Sequence, residues 1–133
     1  MDKSLCTNED SRCPVQDAVH IQYRAAAKGF DWPDIQGVLL KVREEVDELC
    51  DALRSGNETH AKEELGDLLF ACFSVARFLE ADPVTCLDHA TKRFAARFQC
   101  VEDMAYRDGR ALETCPAALL DAYWEQAKKL MAQ

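Results

Sequence analysis

Apolar residues recur at helical spacing along most of this chain, and no segment alternates apolar and polar residues as a half-buried strand does. Glycine and proline interrupt the helical spacing at intervals and mark the ends of successive segments. The sequence therefore predicts five helices, over about 14–28, 34–54, 59–80, 83–106 and 116–130. Short connections favour antiparallel neighbours, so the expected fold class is all-α, an antiparallel helical bundle of about four to five helices.

The size and charge of the chain limit the classes of protein to which it can belong. Its 133 residues predict a single domain over residues 14–133, after a polar leader over 1–13. A net charge of −8 gives no broad positive field, so we expect no nucleic-acid partner. No apolar run reaches the roughly 18 residues that cross a bilayer, and the acidic N-terminus has no signal layout. We therefore expect no membrane partner and a cytoplasmic location.

The cysteines do not point to a metal site. The chain has seven of them, but no two form a C-x-x-C pair. Structural zinc sites depend on such short paired spacings, so the cysteines predict no zinc centre.

The second predicted helix carries two acidic residues at the edge of its apolar stripe. On a helical wheel at about 100° per residue, Glu45 and Glu48 lie beside the stripe and point the same way, whereas Glu44 points away from it. We expect the stripe to face the core, and it consists of Val38, Val42, Val46, Leu49 and Leu53.

The third predicted helix repeats this arrangement. Glu64 and Asp67, again three residues apart, lie at the same edge of a second apolar stripe. Two neighbouring antiparallel helices would therefore direct four carboxylates at one point. The second stripe consists of Ala61, Leu65, Leu68, Cys72, Val75 and Leu79.

Four clustered carboxylates need a partner of opposite charge. Burying them together is very costly unless they are paired or hold a cation. Oxygen ligands on rigid helices suit a hard cation, which favours Mg²⁺, with Mn²⁺ as a possible substitute. The alternative is that these acidic residues form a solvated helix face, since long side chains often snorkel at such edges. The metal site is favoured because the same pair of carboxylates, three residues apart at the edge of an apolar stripe, occurs on two consecutive helices.

Basic residues accompany the acidic ones. Lys41 lies one turn before the first of these carboxylates, on the same edge. Arg93 and Arg97 form an i,i+4 pair on the fourth helix, and arginine is suited to bidentate phosphate contacts. An acidic metal site with a basic pair is what a magnesium-bound triphosphate needs. In the alternative interpretation, the arginines pair with surface carboxylates such as Asp88 or Glu102.

Aromatic residues offer two further interpretations. Trp32 and Trp124 could each stack on a nucleobase, or each could simply pack in the core or at an interface. Phe70 and Phe73 lie opposite the carboxylate edge of the third helix. Apolar surface on both sides of one helix indicates central burial or a contact between subunits. This pattern favours a homo-oligomer.

Four sequence blocks together resemble the MazG nucleoside triphosphate pyrophosphohydrolases. The hallmark of that family is E-E-x-x-E followed by E-x-x-D, and the resemblance covers roughly residues 18–130. The blocks are residues 29–34 (GFDWPD), 41–49 (KVREEVDEL), 63–70 (EELGDLLF) and 93–98 (RFAARF).

The resemblance implies an all-α homodimer or homotetramer with Mg²⁺-dependent activity. That activity is hydrolysis of a (d)NTP to the (d)NMP and pyrophosphate, with nucleotide-pool housecleaning as the cellular role. By motif position, Glu44 would be the base that activates water. The implied metal ligands are Glu45, Glu48, Glu64 and Asp67. The implied substrate-binding residues are Lys41, Arg93, Phe94, Arg97 and Trp124.

The chain departs from the family pattern in two respects, and other functions stay open. Many relatives carry two such domains, and His60 stands where some carry a lysine. One alternative is a phosphoribosyl-ATP or dUTP/dCTP-specific pyrophosphohydrolase. Another is a non-enzymatic helical module that senses nucleotide or metal. A di-iron carboxylate site is less favoured because it needs Glu-x-x-His pairs, which are absent here.

Overall fold

The computed structural model describes residues 13–132, which form five α-helices and contain no strand. A short 3₁₀ turn over Leu112–Thr114 lies between the last two helices. The all-α prediction is confirmed, whereas the predicted leader lies outside the described residues except for its last position. The helices are α1 (Pro14–Ala27), α2 (Ile35–Arg54), α3 (Glu58–Phe78), α4 (Pro83–Arg107) and α5 (Ala117–Met131).

Capping residues set where α2 and α3 begin. The Asp34 carboxylate accepts a hydrogen bond from the backbone N–H of Gly37 at 3.1 Å, and Asn57 caps α3 through the N–H of His60 at 3.1 Å. Gly56 supplies the positive φ, +74°, that the turn between the two helices requires. This tight turn makes α2 and α3 an antiparallel hairpin, which brings their acidic segments to the same region.

The described chain divides into two compact units. The first ends at Pro83 and contains α1, α2 and α3, with α3 in contact with both other helices. The second begins at Val84 and has its core where the last turns of α4 meet α5. That core consists of Val101, Met104, Ala105, Tyr123 and Ala127. None of the five helices within residues 13–132 is long and apolar enough to cross a membrane.

The buried residues of α2 and α3 are mostly small or acidic. The predicted apolar stripes do not fill the seam between the two helices, because Val46, Leu53, Leu65 and Leu79 are all more than 40% exposed. The interpretation that both stripes face the core of this chain was therefore wrong at those positions. Small side chains instead let the helix axes approach closely. The buried residues of the two helices are Val38, Glu45, Ala52, Ala61, Glu64, Ala71 and Ser74.

A bidentate ion pair ties the loop after α1 to the end of α3. The Arg77 guanidinium donates to both Asp31 carboxylate oxygens, at 2.7 and 2.8 Å, and the two side chains are 11% and 22% exposed. This pairing holds the pKa of Asp31 below its usual value. In the same loop Trp32 packs against Gly37, where a Cβ atom would lie 3.0 Å from the ring.

The Asp31–Arg77 pair should stabilise the fold measurably. We expect Asp31→Asn to lower the free energy of unfolding by about 1–2 kcal/mol, because a largely buried arginine loses its two charge-assisted hydrogen bonds to one carboxylate. The matched control is Asp51→Asn. Asp51 pairs with Arg54 at 3.3 Å, and both side chains are at least 75% exposed, so the change should stay within about 0.5 kcal/mol. Urea denaturation measures both, and equal effects would contradict this account.

Candidate metal centre

Three carboxylates from the α2–α3 hairpin converge. Glu45 and Glu48 come from α2 and Glu64 from α3, and each offers an oxygen within 4.8 Å of the other two. Glu45 is 3% exposed and Glu64 is 6% exposed, whereas Glu48 is exposed. The cluster therefore has a buried end, set in the seam between the helices, and an end in contact with solvent.

Each buried carboxylate uses one oxygen and leaves the other without a partner. Glu45 Oε1 lies 2.6 Å from Lys41 Nζ, and Glu64 Oε1 lies 3.2 Å from His60 Nε2. When both carboxyls are ionised, the Oε2 atoms of Glu45 and Glu64 are buried without a hydrogen-bond partner among the described residues. A buried acceptor without a partner is unfavourable, and a coordinated cation would satisfy it. All the convergent donors are carboxylate oxygens, which fit a hard divalent cation.

The environment separates the pKa values of the two buried carboxyls. Ion pairing with Lys41 holds the pKa of Glu45 below its usual value, despite the opposing effect of burial. Burial is the main cause that raises the pKa of Glu64 to about 7, and hydrogen bonding of the protonated carboxyl to Glu45 and Glu48 raises it further. Without a cation, one of these carboxyls is ionised while the other takes up a proton near neutral pH. Without a bound cation, the two buried carboxyls are therefore not both ionised near neutral pH.

Two predicted residues on the same helices lie apart from this cluster. Asp67 is exposed, one turn after Glu64 on α3, and is outside the group of three convergent carboxylates. Its side chain is one methylene shorter than that of glutamate, so its carboxylate reaches less far from the helix. Glu44 is exposed on α2. The ligand role of Asp67 and the catalytic role of Glu44 stay predictions.

The second unit brings together three of the predicted substrate-binding residues. The Phe94 and Trp124 rings have centroids 5.3 Å apart, and the Arg97 guanidinium carbon lies 5.9 Å from the Trp124 ring centroid. Arg93 is exposed and forms no ion pair within residues 13–132. The alternative pairing of the arginines with Asp88 is absent there, because Asp88 pairs with a lysine at 2.8 Å.

An aromatic cavity lies in the first unit. Its volume is about 510 Å³, and its wall includes Phe30, Trp32 and Phe70. Gln22 and Arg77 contribute polar groups to the same wall, and the Gln22 amide donates to the Phe70 carbonyl at 2.8 Å. Trp32 thus lines a cavity of the size that small molecules occupy. It is one of the two tryptophans that, from the sequence, could stack on a nucleobase.

From the sequence, His60 is notable only as a departure from the family pattern. The structure places its ring against two carboxylates, Glu63 and Glu64. The available signal was the spacing, because His60 precedes Glu64 by four residues just as Lys41 precedes Glu45.

Comparison with known proteins gives concordant matches. Residues 34–100 match the profile of the MazG nucleotide pyrophosphohydrolase domain. A Thermotoga maritima nucleoside triphosphate pyrophosphohydrolase/pyrophosphatase MazG is 43% identical over 111 residues, which are 84% of this chain and 42% of that protein. An Escherichia coli K12 nucleoside triphosphate pyrophosphohydrolase is 36% identical over 114 residues, 84% of this chain and 43% of that protein. The chain thus spans less than half the length of these relatives.

The raised pKa of Glu64 predicts a pH-dependent stability in the absence of metal. The folded chain keeps the Glu64 proton up to about pH 7, whereas the unfolded chain releases it near its ordinary pKa of 4.5. Its contribution to the free energy of unfolding is therefore complete below about pH 4.5 and is lost as the pH rises to about 7.

Urea denaturation in excess chelator, repeated across this pH range, measures the effect. Relative to Glu64→Gln, the wild type should lose stability as the pH rises from acidic to neutral. Glu58→Gln changes a carboxylate that is 82% exposed on the same helix, so its profile should follow the wild type. Parallel profiles for the wild type and Glu64→Gln would show that the buried carboxyl does not titrate as described.

Proposed function

Because the chain belongs to the MazG nucleotide pyrophosphohydrolase domain family, we propose that it hydrolyses a nucleoside triphosphate to the monophosphate and pyrophosphate. The observation that carries the proposal is the convergence of three carboxylates, two of them buried with an unpartnered oxygen each. Ribo- and deoxyribonucleoside triphosphates are both candidate substrates. The proposed role is nucleotide-pool housecleaning in the cytoplasm.

We propose Mg²⁺ as the cofactor, with Mn²⁺ as a substitute. Glu45, Glu48 and Glu64 would hold it, and Asp67 is a further candidate ligand on the exposed side. When bound, the cation supplies charge neutralisation for phosphate oxygens and raises the acidity of water. The protein contributes a rigid hairpin that fixes the carboxylates, together with Lys41, whose positive charge offsets part of the charge of Glu45.

The residues proposed to contact the substrate are cationic and aromatic. Arg93 and Arg97 would bind phosphate oxygens and stabilise the negative charge on departing pyrophosphate. Phe94 and Trp124 form an apolar and aromatic surface suited to the nucleoside, and Arg97 lies over the Trp124 ring. Lys41 adds positive charge beside the carboxylates. The cavity walled by Trp32 is a second candidate location for the base.

Glu44 is the proposed general base. It would take a proton from the water molecule that attacks the α-phosphorus. Its carboxylate is exposed, so the proton can pass from it to bulk water. Glu44 directly precedes the buried Glu45 on α2, which places the proposed base on the same helix as two of the proposed ligands, Glu45 and Glu48.

We also propose that the chain assembles as a homodimer or homotetramer. Many large apolar side chains are exposed on the single chain, and soluble monomers seldom leave extended apolar surface uncovered. A second copy would bury the parts of the α2 and α3 stripes that this chain leaves open. The exposed stripe residues include Val46, Leu53, Leu65 and Leu79, and Leu40, Leu69 and Phe70 are further exposed apolar residues of the same helices.

Two other functions are compatible with an acidic helical hairpin. A phosphoribosyl-ATP or dUTP/dCTP-specific pyrophosphohydrolase would use the same carboxylates with a narrower substrate range. A nucleotide or metal sensor would bind Mg²⁺ and nucleotide without turnover. A panel of normal and modified nucleotides separates these functions, because only the first proposal requires general triphosphate hydrolysis.

Replacing one carboxylate should remove activity while the fold is kept. We expect Glu48→Gln to lower kcat about 100-fold or more at saturating Mg²⁺, since even the residues that support metal ligands change activity by about 10–100-fold. Glu48 is exposed, so the Tm should hardly move. Asp47→Asn alters the neighbouring exposed carboxylate and is the matched control. Full turnover by Glu48→Gln would rule out its role as a ligand.

The identity of the product tests the reaction type. A digest of a deoxynucleoside triphosphate with Mg²⁺ should yield the monophosphate and pyrophosphate in equal amounts, because attack at the α-phosphorus leaves the other two phosphates joined. Ion-exchange chromatography resolves both products. Release of orthophosphate and a nucleoside diphosphate would instead indicate attack at the terminal phosphate and a different class of phosphohydrolase.

A further inference from the structure

Both buried carboxylates of the cluster are held in the same way. On α2, Lys41 lies one turn before Glu45 and contacts its Oε1; on α3, His60 lies one turn before Glu64 and contacts its Oε1. In each case Oε2 is the oxygen left buried and unpartnered. The repetition on two helices indicates that the basic residue fixes one oxygen and thereby sets the direction of the other.

The His60 backbone is held at the start of α3, and its half-exposed side chain lies against two carboxylates. Its backbone N–H donates to the Asn57 side chain at the start of α3. Its ring lies between two carboxylates, with Nδ1 3.5 Å from Glu63 Oε2 and Nε2 3.2 Å from Glu64 Oε1. Both ring nitrogens are therefore directed at carboxylates of its own helix.

We propose that His60 is a positioning residue that orients the Glu64 carboxylate so that Oε2 is presented to a divalent cation. The inference rests on the proposed function, because it assigns His60 a part in the same metal centre. His60 acts through Glu64 and does not contact the reacting phosphates. A glutamate side chain held by one oxygen loses less conformational freedom on binding a cation, so the ordered carboxylate binds more tightly.

The alternative is that His60 binds a phosphate group directly, as a basic residue at a substrate site could. The two roles make different demands on the side chain. Positioning requires a nitrogen near Glu64 Oε1 and affects cation binding without nucleotide. Direct phosphate contact requires a side chain free to meet the substrate, and it affects only nucleotide binding.

Binding of Mn²⁺ to the full chain without nucleotide, followed by electron paramagnetic resonance at constant pH, tests the proposal. His60→Ala should weaken Mn²⁺ binding about tenfold, the lower end of the range for residues that orient metal ligands. His60→Gln should restore near wild-type affinity, because its amide N–H has a similar reach. Lys62→Ala is the matched control: Lys62 is exposed on the same helix and pairs with Glu58, so its affinity should equal that of the wild type.

The possible results separate the proposals. Unchanged Mn²⁺ affinity in His60→Ala with a raised KM for nucleotide would overturn the positioning role in favour of phosphate contact. Strong ¹⁴N coupling in the Mn²⁺ spectrum would overturn it in favour of a direct nitrogen ligand. Absence of Mn²⁺ binding by the wild type would overturn the proposed function as well. Wild-type binding that Glu64→Gln abolishes and His60→Ala leaves intact would overturn this inference alone.

Discussion

Two carboxylates buried in one helix–helix seam are the constraint on which the rest of this structure depends. Glu45 and Glu64 occupy positions where an ordinary hairpin would place apolar residues. Lys41 and His60 each contact one oxygen of these carboxylates, and the remaining oxygen of each is buried. Two ionised carboxylates in this seam would be unfavourable for stability. The cluster is therefore compensated either by a proton, as the raised pKa of Glu64 indicates, or by a bound cation.

The sequence predicted the helices well because their ends carry strong local signals. Asp34 and Asn57 cap α2 and α3, and Pro83 opens α4, so each boundary falls within a few residues of the prediction. The wheel placed Glu45 and Glu64 at edges that two neighbouring helices would direct at one point. It did not predict that these carboxylates would be buried while stripe residues such as Val46 and Leu65 are exposed. A single-sequence wheel gives the direction of an apolar face, but it does not distinguish a surface that packs within the chain from one that another subunit could cover.

Other features of each unit depend on contacts between residues distant in sequence, which periodicity does not report. The pairing of Asp31 with Arg77 spans 46 residues and appears only when the loop after α1 meets the end of α3. The tilted contact of the Phe94 and Trp124 rings likewise joins two helices of the second unit. Family resemblance supplied candidate roles for Phe94, Arg97 and Trp124, and the structure adds that their side chains share one surface. Asp67 shows the opposite case, since its motif position suggested a ligand although its side chain lies outside the convergent group.

The most direct test of the central claim is anomalous diffraction from crystals of the chain soaked in Mn²⁺. The account predicts a strong anomalous peak between the two helices, with oxygens of Glu45, Glu48 and Glu64 about 2.2 Å from the ion. It further predicts that the Oε2 atoms of the two buried glutamates are among those oxygens. A map in which these three carboxylates bind no ion, while Mn²⁺ occupies another part of the chain or none, would contradict the account.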